Sequence, residues 1–368
     1  MIPVMADSLP SLAPAAADLE RALGYLRRQD KIGFLTTLAL DPEPAAAWAE
    51  LYLQVREFDE RSERGAAGAG PAAFGARVLA LHPELAPMLR EGMRWPEIER
   101  GLYGDLAPRS VTDYFDLMYY RGVVPVYLCA VLAMPEEDRK WLEAFSVYLG
   151  CGGQLIDDVL DLATDIGNGL FFVTEEELDW QGLSPADLGT AAGLRKVTDL
   201  RNQWALAYHL KAYRVTNMFG PKNRRLARTF LGFSMRALLA GRVRPLPPDV
   251  LADQERFMER EFGIVSHLFD APMPSETFRW TVARPFVSRI IQHYSLVSID
   301  EATARYHSYP RPLPATLLVD TVHGMPSVDL PAVTSEVPDE RRPIRLMHYG
   351  AEGLLPTFVD VLRVMAGL

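Results

Sequence analysis

Apolar residues recur at three- and four-residue steps along nine stretches of this 368-residue chain: 18–28, 43–64, 72–91, 111–133, 136–164, 195–219, 222–241, 248–269 and 276–298. That period gathers the apolar side chains of each segment on one face of an α-helix, and the two-residue alternation of a half-buried strand is nearly absent. The chain is therefore expected to be all-α. Helix starts are expected at Asp41-Pro42, Ser110, Pro135-Glu136 and Ser184-Pro185. At each, a short polar side chain can accept from the first turn, or a proline opens it without losing a needed N–H. Between Glu301 and Arg345 seven prolines fall in 45 residues, which rules out a continuous helix there. The expected organisation is an N-terminal tail over 1–17, one helical domain over 18–300, and a Pro-rich extension over 301–368. The extension is expected to end in an amphipathic helix from Ala351 to Met365.

Composition excludes some functions. Hydrophobic residues make up 49% of the chain, enough for one large core. A net charge of −10 argues against a nucleic-acid surface, which needs a basic face, so any phosphate must be recruited locally. The two cysteines, Cys129 and Cys151, lie in apolar segments without zinc-ligand spacing and read as packing residues of a protein in a reducing compartment. The N-terminus lacks the basic start and unbroken apolar run of a secretory signal, and no stretch is expected to be long and apolar enough to cross a bilayer. A cytoplasmic protein is expected, with peripheral membrane contact left open if the substrate is oily. The oligomeric state is not encoded in any of these features.

Chemistry concentrates in QLIDDVLDLATDIGNG. Asp157, Asp161 and Asp165 follow one another at four-residue steps and so share a helical face, with Asp158 beside them. No Lys or Arg lies between Leu149 and Gly169 to neutralise them. A solvated acidic face is the ordinary reading of such a run. Against it, Leu155, Ile156, Val159, Leu160 and Leu162 make this a core helix, and aspartate is a poorer helix former than glutamate. A bound cation accounts for both. An earlier segment, LYLQVREFDERSERG, sets Asp59 and Glu63 one turn apart with Arg56 close by. Alone this is an ordinary surface pattern of mixed charge. If the two acidic helices face each other across a central bundle cavity, they could hold Mg²⁺, which keeps several waters and takes one or two carboxylates plus substrate phosphates. More than one ion is expected, and the implied ligand is a diphosphate.

At these residues the chain resembles the squalene/phytoene synthases. Tyr52, Arg56, Asp59, Glu60 and Glu63 fall on the family's first aspartate-rich motif. Gln154, Asp161, Asp165, Gly169 and the aromatic pair Phe171-Phe172 fall on the second. Gln154, Asp157, Asp158 and Asp161 are also similar to the second motif of chain-elongating polyprenyl diphosphate synthases, but the first motif lacks the paired aspartates of that class. The resemblance implies a class I isoprenoid synthase bundle that ionises an allylic prenyl diphosphate with Mg²⁺. It implies metal ligation by Asp59, Glu63, Asp157, Asp161 and Asp165, and substrate contacts from Tyr52, Arg56, Gln154, Phe171 and Phe172.

Two departures keep the outcome of that ionisation open. After Gly169 the head-to-head enzymes carry an arginine, where this chain reads Leu170-Phe171-Phe172-Val173-Thr174. In DYFDLMYYRGVVPVYL, Arg121-Gly122 interrupts a helix just before Pro125, which looks like the diphosphate-sensing arginine and broken helix of cyclising terpene synthases. Arg121 then joins Asp161 and Asp165 as a catalytic candidate, while a surface arginine beside a simple kink is the plainer alternative. Head-to-head coupling is preferred, with terpene cyclisation the alternative and a non-catalytic lipid- or partner-binding helical protein a third reading. The seven histidines show no ligand spacing, and His209 reads as packed or exposed rather than catalytic.

Overall fold

Prolines and capping side chains set the helix boundaries. The computed structural model describes residues 16–29, 37, 40–63, 75–95, 98, 110–167 and 172–240, and among them there are helices and turns but no strand. In chain order, α1 spans Ala16–Gln29, α2 Pro42–Glu63, α3 Ala76–Leu81 and α4 Ala86–Gly92, with a 3-10 turn at Pro83–Leu85 between the last two. Next come α5 at Val111–Met118, a π turn at Tyr119–Val123, α6 at Val124–Ala133 and α7 at Arg139–Gly167. After these, α8 covers Glu175–Gln181, a 3-10 turn Pro185–Gly189, α9 Ala191–Thr216 and α10 Pro221–Ala240.

The all-α expectation holds for the described residues, with three local corrections. The single helix expected over 72–91 is divided, because Pro83 cannot donate to the turn before it. The helix expected from Pro135-Glu136 begins at Arg139, after a turn in which Asp138 accepts from the Lys140 N–H. The short α8 was not expected. Thr174 opens it with a capping box: its hydroxyl accepts from the Glu177 N–H, and the Glu177 carboxylate accepts from the Thr174 N–H. The helices expected at 248–269 and 276–298 and the Pro-rich extension lie outside the described residues.

At the centre stands α7, a helix of 29 residues, about 44 Å long at the usual rise. Every residue from Ala144 to Gly152 is buried, as expected of a helix enclosed on all sides. Beyond Leu155 only one face stays inside, carried by Ile156, Val159 and Leu162. The same helix thus changes from fully enclosed to amphipathic at the point where its aspartates begin. α5, the π turn, α6, α9 and α10 all pack on α7, with α9 lying along most of it, while α2 packs on α1, α3 and α6. A small satellite core of Leu162, Val173, Leu178, Leu188 and Val197 fastens the segment after α7 beneath its acidic end.

Val111–Ala133, counted through the π turn, is 23 residues long and apolar enough to pass for a membrane span. That corrects the expectation that no stretch is. Because 78% of its most apolar window is buried within the protein, it is a core helix. Cys129 and Cys151 are buried free thiols, both pushed up by burial, to about 12 for Cys129, which agrees with a packing role.

Candidate active site

The four-residue spacing read from the sequence does place Asp157, Asp161 and Asp165 on one outward face of α7. Asp157 and Asp161 are exposed and Asp165 is half-buried. Asp158 is separated from them by the 100° step of the helix and points inward, 3% exposed. Three donors meet its carboxylate: the Tyr114 hydroxyl at 2.7 Å, the Gln154 side-chain amide at 2.8 Å, and the Arg121 guanidinium at 3.3 Å. Gln154 donates from the same nitrogen to Asp157 at 3.1 Å and so joins the inner carboxylate to the outer row.

Arg121 reaches this position from the π turn. Proline has no N–H, and its ring crowds the carbonyl four residues back, so Pro125 disturbs the backbone at Arg121. The extra residue is taken up by a wider loop in which the Val124 N–H donates to the Tyr119 carbonyl five residues earlier. The interruption seen in the sequence is therefore real, and Arg121 is not a surface residue, since its side chain is 21% exposed. Its guanidinium lies over the Phe172 ring, 5.1 Å from the centroid.

Phe172 is itself held from behind. Arg201, fully buried on α9, donates to the Phe172 carbonyl at 2.6 Å and to the buried Glu177 carboxylate at 2.8 Å and 3.1 Å. The Arg201 guanidinium also covers the Tyr114 ring, 4.5 Å from its centroid. Burial opposes the charge on Arg201, but Glu177, Tyr114 and Asp158 together outweigh it and hold the guanidinium above its usual pKa. A connected chain of polar contacts thus runs from Glu177 through Arg201 and Tyr114 to Asp158 and Arg121. Burial raises the Tyr114 hydroxyl well above its ordinary value, so it stays a donor to Asp158 across the working range of pH.

The outer carboxylates are electrostatically uncomfortable. Asp157 keeps contact with solvent but is closely surrounded by protein. That crowding pushes its carboxyl up to about 6, with the charges of Asp158 and Asp161 adding to the push and Arg121 and Gln154 opposing it. Asp165 is likewise raised to about 6, by burial first and then by Asp161 and Asp158. Asp161, exposed on its outer side but flanked by protein, is raised by partial desolvation and then by Asp158. Arg121 lowers all three, so its charge reaches the whole row.

The remaining expected site residues are placed less fully. Tyr52 is half-buried on α2 and meets Trp48 edge to face at 6.1 Å, and Arg56 is exposed one turn further on. Asp59 and Glu63 lie in the last two turns of α2, but their side chains, and all of Phe171, lie outside the described residues. Among the described residues no three His, Cys, Asp or Glu side chains converge as a ready-made metal site. Tyr114, Arg201 and Glu177 were missed by sequence reasoning. The Thr174-x-x-Glu177 capping pattern is a signal for Glu177, whereas Arg201 lies in the polar run Asp199-Leu200-Arg201-Asn202-Gln203, where nothing marks it as buried.

Against known structures, the chain superposes on a crystal structure of a dehydrosqualene synthase in complex with a ligand, with a TM-score of 0.53 and 14% sequence identity. The match covers 67% of this chain and 98% of that one. The fold is that of a squalene/phytoene synthase-like isoprenoid synthase. The match takes in nearly all of that chain and leaves about a third of this one outside it. No protein-family model and no curated protein sequence matches this chain.

Proposed function

We propose that this protein is a Mg²⁺-dependent isoprenoid synthase that ionises an allylic prenyl diphosphate and joins two prenyl units head to head. The observation that carries the reading is the row Asp157, Asp161 and Asp165, raised in pKa by burial and mutual repulsion, with Arg121 held over Phe172 within reach of its field. The likeness in fold to a dehydrosqualene synthase supports the same reading.

The residues suit the metal. Every candidate ligand is a carboxylate oxygen, the donor type Mg²⁺ prefers, and a divalent cation would relieve the repulsion that lifts Asp157 and Asp165. Because Mg²⁺ keeps several waters and shares its shell with substrate phosphate, it does not require three converging side chains. Asp161 and Asp165, with Asp157, would hold it from α7, and Asp59 and Glu63 from α2. When bound, Mg²⁺ supplies the Lewis acidity that withdraws charge from a leaving diphosphate.

In this reading Arg121 binds and orients the diphosphate, taking up negative charge as the allylic C–O bond breaks. Arg56, exposed on α2, adds a second phosphate contact. Gln154 fixes the direction of the Asp157 carboxylate through its amide. Phe172 supports Arg121 from below, and Tyr52 and Phe171 line the prenyl chain. The enclosed, dry cavity that shields the allylic cation from water belongs to the proposal as well. A cyclase producing a terpene from one prenyl diphosphate is the second reading. The π turn at Tyr119–Val123, which presents Arg121 at a break in its helix, favours it.

The test is to incubate the protein with Mg²⁺ and geranyl, farnesyl or geranylgeranyl diphosphate singly and to analyse hexane extracts by mass spectrometry. A product of twice the substrate's carbon number, or a cyclopropyl diphosphate of that size, supports coupling, and a hydrocarbon of the same number supports cyclisation. Asp161→Ala should abolish turnover while circular dichroism shows unchanged helical content. Full activity in that variant, or no release of diphosphate from any substrate, would overturn the catalytic reading.

A further inference from the structure

Asp158 is the member of the acidic group that points away from the other three. It is nearly sealed from solvent, and the Tyr114 hydroxyl and the Gln154 amide hold its carboxylate in a fixed direction. The ion pair to Arg121 closes this arrangement at 3.3 Å. Arg121 has a long side chain and lies within the field of Asp157, Asp161 and Asp165. An arginine so close to three poorly compensated carboxylates is drawn to pair with them, because a bidentate carboxylate pair is among the strongest contacts a guanidinium makes. Such a pairing would neutralise the outer row and occupy the oxygens that a cation needs.

We infer that Asp158, fixed by Tyr114, is a positioning residue that holds Arg121 against Phe172 and away from Asp157, Asp161 and Asp165, so that guanidinium and carboxylates remain separate binding groups for diphosphate and cation. The Phe172 ring supplies the second support, and Arg201 anchors it through the Phe172 carbonyl. The arrangement stations one cation and three anions side by side without letting them cancel. This inference rests on the diphosphate reading of the same site.

Its consequence is coupling between residues. If Asp158 acts only through Arg121, its loss matters only while Arg121 is present. The experiment is isothermal titration of the full chain with inorganic diphosphate at saturating Mg²⁺, for the wild type, Asp158→Asn, Arg121→Gln and the double variant. Asp158→Asn should weaken binding about tenfold, the double variant should bind as weakly as Arg121→Gln and no more so, and the melting temperatures should not follow that order. Tyr114→Phe keeps the ring over Arg201 and the charge on Asp158 while removing one hydrogen bond. It should give a smaller loss in the same direction that disappears in the Arg121→Gln background, and it serves if Asp158→Asn does not fold. Additive losses would overturn the inference and leave the diphosphate reading standing, as would tighter binding by Asp158→Asn, the result expected if Asp158 merely repels diphosphate. A wild-type protein that binds no diphosphate would overturn both.

Discussion

Gly122 and Gly150 meet backbone to backbone where the π turn crosses α7. A Cβ built on Gly122 would stand 2.5 Å from the Gly150 carbonyl oxygen, and one built on Gly150 would stand 2.7 Å from the Gly122 carbonyl oxygen. Neither neighbour is a flexible side chain that could move aside. The close approach seats Arg121, one residue away, against α7, and its guanidinium meets Asp158, two turns further along that helix, at 3.3 Å.

Gly150→Ala should therefore force the two helices apart. Overpacking of this kind costs about 1–3 kcal/mol, to be read as a lowered midpoint of urea unfolding. Diphosphate binding should weaken as well, since the Arg121–Asp158 pair is carried on the two segments being separated. An unchanged midpoint would mean that the contact is looser than the geometry indicates.

Glu177 and Arg201 form an ion pair with no solvent exposure on either side chain. Removing one partner leaves a buried uncompensated charge, so Glu177→Gln should cost about 3–5 kcal/mol in equilibrium unfolding. Replacing both with apolar residues of similar volume should recover much of that stability. It should not recover site function, because the Phe172 carbonyl and the Tyr114 ring would both lose the guanidinium that orders them.

The pH dependence of stability has two opposing parts. His209 is fully buried, with Nδ1 directed at the Ala205 carbonyl and Nε2 at the Ser234 hydroxyl, and burial lowers its pKa to about 4 from an ordinary 6.5. Between pH 6.5 and 4 the unfolded chain takes a proton that the folded chain refuses, so this group removes stability as pH falls. Asp157 and Asp165 are raised from 3.8 to about 6, so between pH 6 and 3.8 the folded chain binds the extra protons and these groups add stability as pH falls. Melting temperatures measured without divalent cations should show the two partly offsetting in the wild type. In His209→Gln the contribution of the raised carboxyls, Asp157 and Asp165 with Asp161 and Glu143, should dominate between about pH 6 and about pH 4.5, giving a melting temperature that rises over that range relative to its own value at neutral pH.

If Asp157 and Asp165 ligate Mg²⁺ as proposed, the cation must displace those same protons. Thermal stabilisation by Mg²⁺ with inorganic diphosphate should therefore be small at pH 5 and grow through pH 6 to a plateau above pH 7, where Asp157 and Asp165 are ionised. Chelation with EDTA should return the melting temperature to the metal-free value. Stabilisation of equal size at pH 5 and pH 7.5 would argue against these aspartates as ligands.

Much of the fold could be read from the sequence because helices carry their own period. The bounds of α1, α2, α9 and α10 fall within a few residues of the apolar pattern, and the outward row of aspartates follows from four-residue spacing alone. What failed to show was the part decided by contacts distant in sequence. Asp157 and Asp158 are neighbours of one chemical type, yet one faces solvent and the other three donors, a difference fixed by where Tyr114 and Arg121 lie 44 and 37 positions away. The same holds for Arg201, a charged residue that becomes a core residue only because Glu177 and the Phe172 carbonyl meet it. Short α8 carries too little apolar pattern to register, although its capping box was written in Thr174 and Glu177.

The π turn has a consequence for chain length. It accommodates one residue more than an α-helical turn would, so a chain lacking one residue at Tyr119–Val123 could close the wider loop, keeping only the kink at Pro125, with both ends of Val111–Ala133 still in phase. The same deletion within Val124–Ala133 would turn one end by about 100° and carry its buried side chains off the core. Single-residue length changes are thus tolerated by the scaffold at the level that presents Arg121. A relative shortened there would keep the packing of its core helix while losing the register that sets its guanidinium over the aromatic ring.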